Sequence, residues 1–316
     1  MQTVLVTGGT GLVGTAIERV SRDPAFSNHT FRFISSRECD LTDGAQTHAL
    51  FDRIRPNYVI HLAARVGGLF RNMREKVDML EDNIAINSNV LRACHAFNVT
   101  KCVSCLSTCI FPDKTRYPID ETMLHDGPPH ESNAAYAYAK RLVDVQSRAY
   151  RDQYGDNFVT VIPTNIYGPG DNYNLRDGHV IPALIHKCFV AQQIGDTFDV
   201  AGTGKPLRQF IYSDDLAWLI MWVMVNYDDA EPIILSPPEE SEESIAAVAH
   251  QVAYAFGYVG GLNITGEGGD GQFKKTACNR KLMEHIGDTG FVFTPIADGI
   301  RKSVAWFIAN YDDARK

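Results

Sequence analysis

The sequence predicts an α/β fold in which a doubly wound parallel sheet is joined to a smaller α/β domain. In the first half of the chain, short apolar runs alternate with helix-length polar segments, and a glycine-rich turn follows the first run. Such alternation implies parallel strands joined by right-handed crossovers. The runs are almost continuously apolar, as expected of strands whose two faces are both covered by helices. After Pro163 this rhythm breaks, which indicates a second domain.

The elements of the first half follow directly from these runs. The predicted strands are Thr3–Thr7, Phe31–Ser35, Tyr58–Leu62, Lys101–Leu106 and Phe158–Ile162. The predicted helices between them are Leu12–Arg22, Asp43–Ile54, Glu81–Phe97 and Asn133–Tyr154.

The second half is less regular. Residues 164–178 show little periodicity, and residues 257–271 contain seven glycines, which predicts a flexible loop. The predicted elements are a helix over His179–Gln193, strands over Phe210–Tyr212 and Ile233–Leu235, and helices over 213–227, 243–256 and 296–311.

Composition excludes several classes of protein. The chain has 316 residues, of which 45% are apolar and 22% charged, and these fractions exclude a disordered or fibrous protein. The net charge of −8 and the lack of a long basic run argue against nucleic acid or an anionic membrane as a partner. An anionic ligand must therefore be held locally, by backbone amides and a few placed cations.

Cysteine usage and the N-terminus indicate a cytoplasmic protein. The seven cysteines are an odd number, and Cys102, Cys105 and Cys109 lack a second cluster that would complete a zinc site. Free thiols are expected in a reducing compartment, and no metal is expected. The first residues do not resemble a signal peptide. The longest apolar run, Leu216–Val225, is too short to span a bilayer.

The turn after the first strand has the spacing of a dinucleotide-binding loop. Gly8, Gly11 and Gly14 recur at every third position between a strand and a helix. Glycine permits a tight turn and a close approach of backbone to a pyrophosphate, while the helix N-terminus offers free amides and a positive dipole end. The predicted contacts are Gly8, Gly9, Thr10, Gly11, Leu12, Val13 and Gly14.

The end of the second strand favours NADP over NAD. NAD-binding proteins usually place an acidic residue there to bind the adenosine ribose, whereas this chain continues as Ser35-Ser36-Arg37. A guanidinium beside two hydroxyls suits a 2′-phosphate, although the neighbouring Glu38 counts against it. Asp40 and Leu41 are predicted to lie at the adenine edge.

A tyrosine and a lysine on the fourth predicted helix point to reductase chemistry. Tyr136 and Lys140 are four residues apart and therefore share a helix face. A nearby ammonium is expected to lower the pKa of the phenol, so that Tyr136 can exchange a proton near neutral pH. Ser107 follows the fourth strand, at the carboxyl edge of the sheet where a substrate oxygen would be met.

Together these motifs resemble the extended short-chain dehydrogenase/reductase superfamily and, within it, the GDP-L-fucose synthase family. The resemblance covers essentially the whole chain. The segments that carry it are Ser107–Pro112, Pro163–Pro169, Gly178–Pro182, Val66–Gly68, Asp270–Lys275 and Trp306–Phe307. The Tyr-x-x-x-Lys and glycine motifs are general to the superfamily, whereas Ser107-Thr108-Cys109 with His179 is specific.

The resemblance implies a reaction with two kinds of chemistry at one site. GDP-4-dehydro-6-deoxy-D-mannose would be epimerised at C3 and C5, and its C4 ketone would then be reduced with NADPH to give GDP-L-fucose. Cys109 and His179 match the acid–base pair of the epimerisation, since a thiol and an imidazole can both exchange protons near neutral pH. Tyr136, helped by Ser107, would polarise the C4 oxygen in both steps.

The same resemblance assigns binding residues and an assembly. Lys187, Arg208 and Asp270 match contacts to the GDP-sugar. The nicotinamide end matches Pro163, Thr164, Asn165, Ile166, His179 and Lys140. A homodimer is implied, formed through the long helices 81–98 and 134–154. One position departs from the family, because Ala201 stands where a tryptophan is common.

The implied organisation is an NADP-binding Rossmann domain of residues 1–163, to which about 207–236 return, and a substrate-binding domain of 164–206 and 237–316. Two alternatives remain. A related sugar-nucleotide epimerase or dehydratase is disfavoured in its dehydratase form, because Cys109-Ile110 replaces the Asp-Glu pair of dehydratases. A non-catalytic NADP-binding protein is disfavoured by the presence of both Tyr136 and Lys140.

Overall fold

The structure, a computed structural model, describes residues 1–267 and 272–316. In chain order its strands are β1 Gln2–Thr7, β2 His29–Ile34, β3 Tyr58–His61, β4 Lys101–Cys105, β5 Phe158–Pro163, β6 Asn165–Tyr167, β7 Phe198–Val200, β8 Leu207–Arg208, β9 Phe210–Tyr212, β10 Ile233–Leu235, β11 Glu243–Ser244 and β12 Leu262–Ile264. Its α-helices are α1 Leu12–Val20, α2 Gly44–Ile54, α3 Leu69–Arg74, α4 Lys76–Ala96, α5 Ala134–Tyr154, α6 Val180–Ile194, α7 Ser213–Asn226, α8 Ile245–Phe256, α9 Arg280–Ile286 and α10 Ile296–Ala309.

The main sheet contains six strands in the order β2-β1-β3-β4-β5-β10, and every neighbouring pair is parallel. From β1 the chain moves first to β2 on one side and then to β3 on the other. The direction of winding therefore reverses between β1 and β3. In open α/β sheets the crevice at such a reversal, at the carboxyl ends of the strands, is where ligands bind.

Helices cover both faces of this sheet because its strands are apolar on both sides. Leu5 packs into a core with residues of α2, α4 and α5, whereas its neighbours Val4 and Val6 pack on the opposite face with α1, α7 and α9. The doubly wound parallel sheet is thus the predicted fold class, and the alternation of strands and helices before Pro163 is confirmed.

The C-terminal elements enclose a separate apolar core. It is built on α6, α8 and α10 around aromatic side chains, among them Phe198, Tyr173 and Phe307. Two-stranded sheets join distant segments here: β6 with β9, β7 with β12 and β8 with β11. No helix in 1–267 or 272–316 combines the length and the apolar character that crossing a bilayer requires.

Two local predictions are wrong. Helix α4 begins at Lys76, before the predicted Glu81, because Met79 is buried there and the arginines Arg65, Arg71 and Arg74 fix Glu75 at its entry. The predicted loop 257–271 contains strand β12, which pairs in parallel with β7. Neither outcome is visible in local propensity, since each depends on distant partners. Helices α3 and α9 were not predicted from the sequence.

One buried amide ties the two halves together. The side chain of Gln209 is 1% exposed and lies between β8 and β9. Its amide nitrogen donates to the carbonyls of Pro237 (3.0 Å) and Ala277 (3.1 Å), and its amide oxygen accepts from the Ala277 N–H (2.7 Å). Its backbone carbonyl accepts from Asn165, which lies just beyond β5.

We predict that Gln209→Leu destabilises the protein by about 3 kcal/mol, because it leaves buried backbone groups of Pro237 and Ala277 without partners. Urea unfolding followed by circular dichroism measures the loss. Gln192→Leu is the control, since Gln192 is exposed and its side chain donates to the Phe256 carbonyl. This variant should cost less than about 1 kcal/mol. Equal losses in the two variants would contradict this role for Gln209.

Candidate functional site

The glycine turn lies at the winding reversal and is packed against the strands around it. Gly8 has a φ of +69°, and a Cβ there would come within 2.9 Å of the Ala63 backbone nitrogen, just after β3. A Cβ on Gly9 would lie 2.6 Å from the Phe33 Cβ, and one on Gly14 would lie 2.5 Å from the Gly9 carbonyl. Larger residues are therefore excluded by backbone that cannot move aside.

The start of α1 is open to an anion. Its N-cap residue, Gly11, supplies no side-chain cap, and the first turn holds no acidic residue. The first amides of a helix have no partner within the helix, and they attract negative charge. Thr10 is exposed beside them, and Leu12 and Val13 are half-buried. A cradle that a Cβ would fill, at an uncapped helix N-terminus, fits the pyrophosphate of a dinucleotide.

The segment after β2 leaves one arginine available. Arg37 is exposed and, within 1–267 and 272–316, forms no ion pair. Glu38 is turned away into its own turn, where its carboxylate accepts from the Ser35 N–H (2.9 Å) and hydroxyl (2.8 Å). These bonds lower the pKa of Glu38. Glu38 therefore forms no ion pair with Arg37. The Arg37 guanidinium can bind a 2′-phosphate.

Asp40 and Leu41 differ in how much of them a ligand could reach. Asp40 is exposed, and its carboxylate accepts from the Thr42 N–H (2.9 Å) and hydroxyl (2.7 Å), which fixes the turn into α2. Leu41 is buried at 7% exposure. Of the two residues predicted to contact adenine, Asp40 is therefore the one whose side chain a ligand could reach.

Ser107, Tyr136 and Lys140 lie at the carboxyl end of β4. Lys140 is buried on α5, and its ammonium donates to the Cys105 carbonyl at 2.8 Å. Tyr136 is half-buried one turn earlier on the same helix, as the four-residue spacing requires. Ser107 caps a 3₁₀ turn, with its hydroxyl accepting from the Cys109 N–H at 3.4 Å.

The expected effect of Lys140 on Tyr136 is wrong for the protein alone. Burial raises the pKa of Tyr136 well above its ordinary value, and the nearby thiols of Cys109 and Cys105 raise it further. Burial also lowers the pKa of Lys140. The Lys140 ammonium, which was expected to act on the Tyr136 phenol, is hydrogen-bonded to the Cys105 carbonyl instead. Tyr136 is therefore a neutral hydroxyl that can donate a proton.

Cys109 and His179 come from two different elements, the turn after β4 and the start of α6. Cys109 is half-buried after β4; burial raises the pKa of its thiol, while Lys275, the Ser107 hydroxyl and Lys140 lower it. His179 is the N-cap residue of α6, but its side chain makes no cap hydrogen bond. Its ring is accessible to solvent, yet desolvation by the surrounding protein lowers its pKa, and the Lys275 ammonium lowers it further.

Lys275 is the site residue that sequence reasoning did not assign. It is half-buried; its charge lowers the pKa of both Cys109 and His179, and burial lowers its own pKa. It lies on residues 272–278, which we call the strap. The only signal in the sequence was the segment Asp270–Lys275, which stood out through family resemblance rather than through any local pattern.

Of the predicted substrate residues, Arg208 already has partners. Its guanidinium donates to the carbonyls of Leu207 (2.7 Å), Gln272 (2.6 Å) and Phe273 (3.3 Å), so it clamps the strap. Lys187 is half-buried on α6. Asp270 lies outside the described residues. Ala201 is exposed immediately after β7, and its methyl side chain has no ring on which a ligand could stack.

The predicted nicotinamide contacts lie where β5 ends. Pro163 is the last residue of β5, and the Thr164 N–H donates to the Leu235 carbonyl at 3.3 Å. The Thr164 hydroxyl is buried and, in the described part of the chain, has no hydrogen-bond partner. Asn165 and the half-buried Ile166 continue into β6. A buried hydroxyl without a partner suits a bound ligand.

Known proteins resemble this chain over its full length. Residues 4–235 match the NAD dependent epimerase/dehydratase family. A GDP-L-fucose synthase from Dictyostelium discoideum is 56% identical over 315 residues, which cover 100% of this chain and 98% of that protein. A probable GDP-L-fucose synthase from Drosophila melanogaster is 52% identical, with both chains covered completely. The crystal structure of a GDP-L-fucose synthetase from Naegleria fowleri bound to NADP has a TM-score of 0.94 and 48% identity, covering 100% of this chain and 95% of that one.

We predict that Arg37→Ala weakens NADPH binding tenfold or more and leaves NADH binding almost unchanged, because only NADPH carries the 2′-phosphate. Charge-assisted hydrogen bonds of this kind contribute roughly 1.5–3 kcal/mol. Cofactor fluorescence titration measures both affinities. Arg32→Ala, at an exposed position of β2, is the control. Equal losses for the two cofactors would show that Arg37 does not bind the phosphate.

Proposed function

The chain belongs to the GDP-L-fucose synthase family, and on that premise we propose that it converts GDP-4-dehydro-6-deoxy-D-mannose to GDP-L-fucose by 3,5-epimerisation and NADPH-dependent 4-reduction. The observation that carries the proposal is the packing of α5, which bears Tyr136, against the turn Thr108–Ile110, which bears Cys109. A tyrosine such as Tyr136 serves ketone reduction, and a thiol such as that of Cys109 serves proton exchange at carbon. A site that needs both chemistries explains why a reductase pair and a thiol share it.

The cofactor is held by the groups around the winding reversal. The amides of the glycine turn bind the pyrophosphate, Arg37 binds the 2′-phosphate, and Lys140 with Thr164 meets the nicotinamide end. When bound, NADPH supplies a hydride to C4 of the sugar. We assign cofactor binding to a domain of residues 1–163 with about 207–236, and substrate binding to 164–206 with 237–316.

Epimerisation depends on acid–base groups on both faces of the sugar ring. Protons on C3 and C5 are acidic enough to remove because the adjacent C4 oxygen takes the charge as an enolate. Tyr136 and Ser107 donate hydrogen bonds to that oxygen. Cys109 and His179 exchange protons with the carbon on opposite faces, which inverts its configuration.

Reduction uses the same hydroxyl. As the hydride arrives at C4, Tyr136 donates its proton to the oxygen, and a neutral phenol is the form that can do so. Lys140 stabilises the phenolate that remains. The diphosphate needs cations in a chain that is acidic overall, and Lys187 and Arg208 supply them, with Asp270 as a further contact to the GDP-sugar.

The enzyme is further proposed to be a cytoplasmic homodimer. On α5, Tyr138, Leu142 and Val145 form an exposed apolar stripe at helical spacing. Such a stripe supports pairing of the helices 81–98 and 134–154 with a second copy. All seven cysteines are unpaired, which supports a reducing compartment.

We predict that Tyr136→Phe lowers the rate of 4-reduction by at least about 10²-fold, because positioned proton donors contribute 10²–10⁴-fold. NADPH binding should survive, since the ring is retained. Loss of NADPH absorbance on addition of the keto-sugar measures the rate. Tyr138→Phe is the matched control: it removes an exposed hydroxyl two residues away. Near-normal reduction by Tyr136→Phe would disprove the assignment.

Cys109→Ala and His179→Ala are each expected to slow exchange of the C3 and C5 hydrogens with solvent by about 10²–10⁴-fold. Neither residue takes part in hydride delivery, so sugars reduced before full epimerisation should accumulate. Proton NMR of the products in D₂O measures both effects. Cys102→Ala, a buried thiol within β4, is the control. Normal exchange and normal GDP-L-fucose formation in both variants would make Cys109 and His179 structural.

A further inference from the structure

Two consecutive cations of α5 hold both ends of one short segment. The Lys140 ammonium donates to the Cys105 carbonyl at 2.8 Å. The next residue, Arg141, donates from the Nε of its guanidinium to the Ile110 carbonyl. Cys105 ends β4, and Ile110 ends the 3₁₀ turn after it. The two hydrogen bonds therefore bracket residues 106–109.

The bracketed segment carries two of the proposed reacting groups, Ser107 and Cys109. The Ser107 hydroxyl accepts from the Cys109 N–H at 3.4 Å, and the Ser107 carbonyl accepts from the Ile110 N–H at 3.1 Å. These bonds set the shape of the turn, but they lie within it and cannot fix its position against α5. The hydrogen bonds from Lys140 and Arg141 do so, because they join the segment to the helix.

Arg141 is a buried cation without a carboxylate partner. It is 7% exposed, and within residues 1–267 and 272–316 it forms no ion pair. Its guanidinium carbon lies 5.6 Å from the centre of the Tyr138 ring, and its Nη2 is buried with no hydrogen-bond partner in the described part of the chain. Burial lowers the pKa of Arg141. Burying a cation in this way costs free energy, so its bond to Ile110 is maintained against that cost.

The carbonyl that accepts this bond is buried as well. Ile110 is 0% exposed and belongs to the same apolar core as Val143 of α5. A carbonyl removed from water costs free energy unless it accepts a hydrogen bond. Without Arg141 the Ile110 carbonyl loses this donor, and the turn must move to reach water or another donor. The position of the turn therefore depends on the guanidinium.

We propose that Arg141 is a positioning residue for epimerisation: its hydrogen bond to Ile110 holds the turn of Cys109 against α5, within reach of the sugar carbons. The inference rests on the proposed function for its role in the reaction. In each inversion one member of the Cys109–His179 pair takes a proton from carbon on one face, and the electron pair is held on the C4 oxygen. The other member then gives a proton to the carbon on the opposite face. Such transfers need close contact, and a displacement of about 1 Å can slow them roughly 10²-fold.

The bond at the other end of the segment makes the effect selective. Lys140 keeps its bond to β4 when Arg141 is changed, so Ser107 remains next to a fixed strand end. Cys109 is adjacent to Ile110 and loses the nearer of the two bonds. The phenol that serves 4-reduction is carried by α5 itself. Loss of Arg141 should therefore slow epimerisation more than reduction.

The first measurement needs no substrate. In Arg141→Met, hydrogen–deuterium exchange of the backbone amides of residues 107–112, followed by mass spectrometry, should speed up about tenfold, because the turn opens more often without this bond. Arg141→Lys keeps a cation that can reach the same carbonyl and should restore most of the protection. Arg141→Leu provides a second variant without a donor if Arg141→Met does not fold.

Arg148→Met is the matched control. Arg148 lies two turns further along α5, where it pairs with Asp144 (3.0 Å) and Glu231 (2.8 Å). Its removal deletes a guanidinium from the same helix but should leave amide exchange of residues 107–112 unchanged. Unchanged amide exchange in both Arg141→Met and Arg141→Leu would overturn the proposal.

The second measurement uses the reaction in D₂O with NADPH. In Arg141→Met, exchange of the C3 and C5 hydrogens should slow by about 10–10²-fold. A larger share of the 4-reduced sugar should then keep its original configuration at C3 or C5. Proton NMR gives the ratio of epimerised to unepimerised product, which does not depend on the amount of folded enzyme. If exchange and reduction slow in the same proportion, Arg141 serves stability alone and the proposal is wrong.

The two proposals can fail separately. If amide exchange rises as expected but the wild-type enzyme does not exchange the C3 and C5 hydrogens of the keto-sugar, Arg141 still holds the turn and the proposed reaction is wrong. If the wild-type enzyme exchanges them and Arg141→Met gives the same product ratio with unchanged amide exchange, the reaction stands and the role of Arg141 is wrong.

Discussion

Close backbone packing at the carboxyl ends of β1 and β3 is the constraint on which the rest of the site depends. Gly8 can lie against Ala63 only because it has no Cβ, and Gly14 can lie against Gly9 for the same reason. This packing brings the start of α1 to the winding reversal with its amides exposed. The parallel pairing of β3, β4 and β5 then brings the carboxyl ends of β4 and β5 to the same edge of the sheet. The proposed site residues that follow these strands are placed there.

The second half of the site comes from the strap. Gln209 and Ile119 hold its backbone, and Arg208 clamps its first carbonyls. The strap carries Lys275, whose charge lowers the pKa of both Cys109 and His179. A chain with a net charge of −8 thereby concentrates positive charge where an anionic sugar nucleotide would bind.

Much of the first half could be predicted from sequence because its signals are local. Glycine spacing, apolar runs and the four-residue separation of Tyr136 and Lys140 each lie within one turn or one element. Strand β12 could not be predicted, because its pairing with β7 outweighs its glycine-rich surroundings. The effect of Lys275 on Cys109 could not be predicted, since only the fold relates segments so far apart in the chain. The pKa of Tyr136 was expected to fall and instead rises, because burial cannot be read from helix spacing.

The most direct test of the central claim is the isotopic composition of the product formed by the wild-type enzyme in D₂O. Incubated with NADPH and GDP-4-dehydro-6-deoxy-D-mannose, the enzyme should release GDP-L-fucose that carries deuterium at C3 and C5 and protium at C4. Proton NMR distinguishes these positions. A 4-reduced sugar that retains its original hydrogens and configuration at C3 and C5, or an absence of NADPH oxidation, would contradict a single site for both chemistries.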